Sequence, residues 1–334
     1  MIRFFIRRVI VALLVIFIGI TIVFFIPRAI PKLNPVEVMI QRLQMMGTYL
    51  DPKSIELMKA SLIKLYGLEG SIFEQYIKFW QSLFSGDLGP SFSSFPTPVI
   101  VLIKTALPWT IGLLATTSIL SWIIGTILGA LAGYSARNKL WARIFEILAN
   151  AVRPIPYYVL SLILLLLLSY VLPIFPTGGG FRMGMKITFN IETIITILEH
   201  AFLPALSLLI VGIGGWFLNM RNLTTLIVKE DYVTFAQLAK ISNKTIFKNY
   251  VLKNALLPQI TGLALQLGLI FNGTIITELV FGYPGLGTLV YEAVNNSDYN
   301  VVMGVSIFSI VAVSLGTLII DIISPLIDPR VRYR

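Results

Sequence analysis

The chain has 334 residues, 56% of them hydrophobic and 13% charged, with a mean hydropathy of +0.85 and a formal net charge of +10. That balance excludes an ordinary soluble domain and places the chain in the membrane class. The absence of cysteine excludes disulfide and thiolate chemistry, and the basic residues flank apolar runs instead of forming an aromatic-interleaved stripe, which argues against a nucleic-acid partner.

Six apolar runs are long enough to cross a bilayer core of about 30 Å at 1.5 Å per helical residue. They fall at about 9–27, 109–133, 155–173, 200–219, 257–280 and 302–325. Lipid cannot satisfy backbone polar groups, so each is expected to be a helix, and the fold class to be an all-α polytopic membrane protein. The first run follows the basic start MIRFFIRRV. It is longer than a signal-peptide core and ends at Pro27-Arg28 without a small-residue cleavage site, so it reads as a retained first span, 1–27.

The following segment, 28–108, is punctuated by Pro31, Pro35, Pro52, Gly67, Gly70, Gly86 and Gly89. Helical apolar spacing is present over Pro52–Tyr66 and Ile72–Phe84. It reads as a small folded extracytoplasmic cap. The alternative is a re-entrant or interfacial arrangement with Phe73, Tyr76, Phe79, Trp80 and Phe84 at headgroup level. A five-helix core, 109–325, and a short tail, 326–334, complete the expected organisation.

Lysine and arginine orient the chain. With the N-terminus inside, the inner segments hold Arg3, Arg7 and Arg8, then Arg137, Lys139, Arg143 and Arg153. A long polar segment and the tail add Arg221, Lys229, Lys240, Lys244, Lys248, Lys253, Arg330, Arg332 and Arg334, whereas the two short outer loops hold only Arg182 and Lys186. Both termini are therefore expected on the cytoplasmic side of a cell membrane.

Several residues within or beside the spans carry polar chemistry. In the fifth span Gly262, Gln266, Gly273 and Thr277 share a face, with Asn272 nearby, and both close helix packing and pathway lining fit. Glu278, at its outer end, fits either a solvated interface residue or an outer gate or binding-protein contact. Asp321 reads as a structural hydrogen-bond partner more than a proton relay, His200 as an interfacial residue, and Gly178-Gly179-Gly180 as a flexible outer turn.

The segment Lys229–Pro258 is far longer than a linker needs to be. Glu230–Lys240 is expected to form one short helix, its early acids suiting the positive end of the dipole. Ser242 is the expected N-cap of a second helix that gathers Ile246, Phe247, Tyr250 and Val251 on one face and Lys244 and Lys248 on another. Two such helices can fill a groove on a partner, or lie on anionic lipid at about 1 kcal/mol per basic residue.

In spacing, Asp231-Tyr232, Ala236, Ala255, Leu257 and Pro258 match the cytoplasmic EAA loop of permease subunits of ATP-binding-cassette importers, in the oligopeptide/dipeptide class. Other blocks agree in order: Tyr66-Gly67-Leu68, Gln75-Tyr76, Trp80, Gly86-Asp87-Leu88-Gly89 with Ser91, and Arg221 ahead of Asp231. Glu278-Leu279-Val280-Phe281, Pro284-Gly285-Leu286-Gly287, Asp298-Tyr299 and Asp328-Pro329-Arg330 continue the resemblance to the end. Lys240 stands at the loop's usual glycine, Thr234 at its usual glutamate or equivalent, and Leu238 where an alanine is common.

The resemblance implies a non-catalytic subunit that forms half of a translocation pathway with a second, similar permease. Two cytoplasmic ATPases would grip Glu230, Asp231, Tyr232, Thr234, Phe235, Ala236, Lys240, Asn254 and Pro258, and an extracytoplasmic substrate-binding protein would deliver the cargo. Gln266, Asn272, Thr277 and Glu278 are the candidate pathway or outer-gate residues. This chain would bind no cofactor, with ATP and Mg held by the ATPases; consistently, the sequence contains no G-x-x-x-x-G-K-[ST] loop. Peptides are the implied cargo, with oligosaccharides as the alternative. A secondary transporter would need charged or unwound midplane sites and an inverted repeat, and an intramembrane enzyme a catalytic constellation; neither pattern is present in the sequence.

Overall fold

A computed structural model of the chain describes residues 2–29, 51–65, 69–134, 140–185, 187–188, 190–268 and 275–327. Among these the structure is helical, with one isolated bridge between Pro90 and Pro98. The protein is an all-α polytopic membrane protein.

Four helices are long and apolar enough to span a bilayer unbroken: α1 (Ile2–Ala29), α4 (Val99–Tyr134), α7 (Ile191–Ile227) and α12 (Tyr299–Ile327). Two of them begin upstream of their expected starts at 109 and 200. The apolar window marks only the part inside lipid, while the helix continues into the outer polar zone, so the expected boundary at 108 falls inside α4.

The expected third span, 155–173, is occupied by one helix, with a second helix turned sharply away before it. α5 (Leu140–Val152) and α6 (Tyr157–Leu165, extended by a π-helical turn at Leu166–Val171) meet at a 98° bend. Pro154 and Pro156 explain the break, since each lacks a backbone donor and restricts the residue before it. The expected fifth span, 257–280, is described as the end of α9 and as α10 (Ile275–Val280), with 269–274 outside the described residues. α9 starts at Asn243–Thr245, continues through a π-helical stretch Ile246–Leu252 and runs on as Lys253–Gly268. The outer surface adds α2 (Pro52–Leu65), α3 (Ile72–Phe84) and α11 (Leu286–Asn295); α8 (Asp231–Leu238) lies between α7 and α9.

The central packing unit is the parallel pair α4–α7. Gly125, Gly129 and Gly133 form a stripe on α4 that lets the two backbones nearly touch. A Cβ at Gly129 would lie 2.5 Å from the Phe217 carbonyl oxygen, and one at Gly133 2.7 Å from that of Arg221. Apolar burial does not drive association in lipid, so close contact of this kind carries the packing. The G-x-x-x-G spacing was legible in the sequence and is the signal that the fifth-span reading passed over.

α1 runs antiparallel to α12. Gly19 packs on Ile310, and Arg8 Nη1 lies 3.0 Å from Asp321 Oδ2. Asp321 is thus one half of an ion pair that places the two ends of the described chain on one side of the membrane.

α3 does not stand off as a separate cap. Its aromatic side chains run back along the outer half of α1, with Tyr76 and Phe79 against Phe24 and Trp80 stacked on Phe17 at 5.5 Å. Tyr76 Oη meets Thr21 Oγ1 at 2.8 Å, and Arg28 donates to Gln75 at 3.2 Å. Phe73 and Phe84 stay exposed. Ser71 and Glu74 form a capping box that fixes where α3 starts.

Candidate functional site

Two sites draw together the residues singled out in the sequence, one at the inner end of the bundle and one at the outer.

The inner site is a platform built on α8. At eight residues α8 is too short to be stable alone. It is held by Val233 and Ala236, which bury against Ile246 and Val251 of α9, with Tyr134, Ile227 and Ile241 around them. Burying one such aliphatic side chain contributes on the order of 2 kcal/mol. Glu230 is the N-cap, its carbonyl receiving the Val233 amide at 3.0 Å, and Asp231 and Thr234 are exposed.

The end of α8 is a Schellman motif. The Ile241 amide donates to the Ala236 carbonyl and the Lys240 amide to the Gln237 carbonyl. Lys240 adopts φ 57°, the left-handed conformation that glycine takes more cheaply. Two residues on, the Ser242 hydroxyl accepts the Thr245 amide at 3.3 Å and starts α9. The turn and the new cap are therefore both present, in sequence.

The second helix of the segment is not separate, as expected, but runs unbroken into the fifth span. Asn254 lies inside that continuation, where its amide donates to the Tyr250 carbonyl at 2.6 Å and reaches the Tyr232 hydroxyl at 3.4 Å. Pro258 lies in the same helix, one turn further on, away from the α8 surface.

Beside the exposed Asp231, Thr234 and Gln237, α8 carries an exposed apolar stripe. Tyr232 (40% exposed), Phe235 (69%) and Leu238 (72%) recur every three residues on the face opposite Val233 and Ala236. Leu238 was legible only as a departure from the family pattern; burial shows that it extends the stripe. Arg221 ties α7 to α5, its guanidinium 2.7 Å from Glu146.

The outer site is a knot of buried carboxylates. Glu278 is fully buried. Its carboxylate accepts from the Thr110 hydroxyl at 2.7 Å and from the amides of Gly287 at 2.7 Å and Thr288 at 3.4 Å, while the Leu286 amide donates to Thr110 Oγ1. It therefore caps the first turn of α11, where the helix dipole favours an anion. The expectation of a solvated interface residue is corrected: the carboxylate is enclosed by the Thr110 hydroxyl and the backbone amides of Gly287 and Thr288. The glycines of Pro284-Gly285-Leu286-Gly287 make room for it, since a Cβ at Gly285 would clash with the carboxylate.

Asp298 is buried likewise, accepting from the Ser91 and Ser93 hydroxyls at 2.5 and 2.8 Å, from the Ser93 amide at 2.9 Å and from the Val301 amide of α12 at 3.2 Å. The triglycine seats this outer turn instead of flexing: the Gly179 amide donates to the Phe281 carbonyl at 2.8 Å. His200 closes its own helical turn, with Nδ1 2.8 Å from the Thr196 carbonyl oxygen.

Of the other pathway candidates, Thr277 is buried against Ser161 at 3.5 Å, and Gln266 is exposed while donating to Ser118 at 3.3 Å. Asn272 and Gly273 lie outside the described residues, as do Tyr66-Gly67-Leu68, Arg137, Lys139, Lys186 and Asp328-Pro329-Arg330. Missed in the sequence was a groove on α7 and α9 that sets the carboxamides Asn219, Asn222 and Gln259 among apolar side chains; carboxamides recurring within apolar helices were its available signal.

A family model described as the binding-protein-dependent transport system inner membrane component matches residues 125–333, and the N-terminal membrane component model of the same transport systems matches 1–113. The chain is 30% identical to the oligopeptide transport system permease protein AppB of Bacillus subtilis (strain 168), over all of both chains. It is 27% identical to the dipeptide transport system permease protein DppB of Lactococcus lactis subsp. cremoris, over 99% of this chain and all of that one. Oligopeptide transport system permease protein OppB of Haemophilus influenzae is 28% identical, over the whole of both chains.

Proposed function

The chain belongs to the family of binding-protein-dependent transport system inner membrane components, and on that premise we propose that it is half of the membrane pathway of an ATP-driven importer of short peptides. The family is a membrane permease subunit of transport systems and not a catalytic one. In this reading a second, similar permease completes the pathway, two ATPases bind at the inner face, and an extracytoplasmic binding protein delivers the peptide. ATP and Mg belong to the ATPases. Both chain ends face the cytoplasm, in keeping with the lysine and arginine distribution and with the Arg8–Asp321 pairing of the first and last spans.

The observation that carries the proposal is the outward stripe Tyr232, Phe235 and Leu238 on a helix whose other face is locked into the bundle. Large apolar side chains at regular helical spacing on a polar inner loop fit a groove on a partner protein. α8 packs through Val233 and Ala236 on Ile246 and Val251 of α9, and α9 continues through Asn254 into a membrane span, so a push on α8 is passed to α9 by side-chain contact. Peptide cargo is supported by the relatives, which are oligopeptide and dipeptide permeases over the full length of this chain.

Co-purification of the complete complex tests this. Phe235→Asp with Leu238→Asp should strip the ATPases from the membrane subunits, and reversing the charge at Asp231 or truncating Tyr232 should uncouple ATP hydrolysis from transport. Undiminished ATPase association in the double variant would overturn the reading.

A further inference from the structure

The inner half of α7 turns two carboxamides, Asn219 and Asn222, away from the bundle core and towards α9, while Arg221 between them turns to Glu146 of α5. Across from them stands Gln259, which is only 3% exposed and whose Oε1 has no hydrogen-bond partner among the described residues. Trp216, Leu223, Leu226, Pro258 and Gly262 complete the walls of a cavity of about 460 Å³. That volume suits a small ligand site, typically about 300–1,000 Å³. The Gln259 backbone is held in place, because the Trp122 indole donates to its carbonyl at 3.1 Å.

We propose that this groove is a stretch of the transport pathway that grips the main-chain amides of an extended peptide. The inference rests on the import-permease reading. Asn219 and Asn222 are exposed at the inner end of α7, where water or a polar ligand can reach them, and the buried Gln259 Oε1 beside them lacks a partner among the described residues. A carboxamide both donates and accepts, matching the peptide amide whatever side chain the residue carries. The side chains lining the groove include no ionisable group, so a charged peptide terminus would lose its hydration there without compensation. The site therefore recognises the repeating backbone and leaves residue-specific selection to other parts of the system.

The chain lacks cysteine, so single cysteines report without background. Asn222→Cys and Gln259→Cys are placed in the complete complex, reconstituted in vesicles with its ATPases and binding protein. A membrane-impermeant thiol reagent is supplied from the ATPase side, with Leu198→Cys, on the outer part of α7, as the unlabelled control. Both groove cysteines should react in the resting state, and a saturating transported peptide should slow the reaction about tenfold, the change that 1.4 kcal/mol produces.

Absence of labelling would overturn the proposal. So would labelling of the isolated chain that the second permease abolishes with or without peptide, since the groove would then be a subunit interface. Labelling untouched by peptide would leave a wet groove that does not grip the cargo, and would overturn it too. Loss of the ATPases from wild-type complex would instead count against the permease assignment itself.

Discussion

The inner platform and the outer knot both hold a short helix against membrane spans, with opposite chemistry. α8 is fastened by apolar burial, Val233 and Ala236 on Ile246 and Val251, and it leaves Tyr232, Phe235 and Leu238 exposed. α11 is fastened by an enclosed carboxylate, Glu278, that satisfies backbone amides which would otherwise be buried without partners. Residues shared with the family thus mean different things at the two ends. At the outer end they serve the chain's own architecture, and at the inner end they leave the exposed surface that the proposed function assigns to another polypeptide.

Substitutions can break this contrast. The largest expected effect is Glu278→Ala. It leaves the Thr110 hydroxyl and the Gly287 and Thr288 amides without their acceptor, at about 3 kcal/mol or more in total. Thermal unfolding in detergent should show a clear loss, and Glu278→Gln, which keeps an acceptor oxygen, a smaller one. Equal stability of Glu278→Ala and wild type would end the view of the outer acid as a structural cap.

Next comes Gly129→Leu in the α4–α7 seam, where the new side chain meets backbone that cannot yield. About 1–3 kcal/mol of destabilisation is expected from overpacking, read as lower Tm and poorer folded yield.

Phe235→Ala with Leu238→Ala sharpens the comparison from the other side. Both side chains are exposed, so the stability of the isolated chain should change by less than about 0.5 kcal/mol. Affinity for the ATPases, measured by titration of the purified subunits, should fall at least about tenfold if the pair is an interface anchor. A large stability loss with unchanged affinity would reverse the roles assigned to the two ends.

The smallest effect is expected at Lys240→Gly. Relieving a left-handed lysine should raise stability by about 1 kcal/mol with transport preserved. Lost transport in a stable variant would mean that the lysine side chain makes a contact of its own with the partner.

Much was legible before any coordinates. Apolar runs marked the helices, and the Ser242 cap and the Ile246/Val251 face appear where the periodicity predicts them, whereas the break at Pro154 and Pro156 was not foreseen. These properties are local: a helix repeats every 3.6 residues, and lipid leaves the backbone no other way to satisfy itself. The ordered motifs along the chain likewise pointed to the transport family.

What the linear sequence left open was which way each side chain faces. Glu278 was read as solvated or gating because its buried partner, Thr110, is 168 positions away. Leu238 was read as a departure, and Asn219, Asn222 and Gln259 were passed over, because only packed helices bring them to one surface. Tertiary contact alone decided between an acid in water and an acid enclosed by amides, since burial and hydrogen bonding are set by neighbours in space and not by neighbours in the chain.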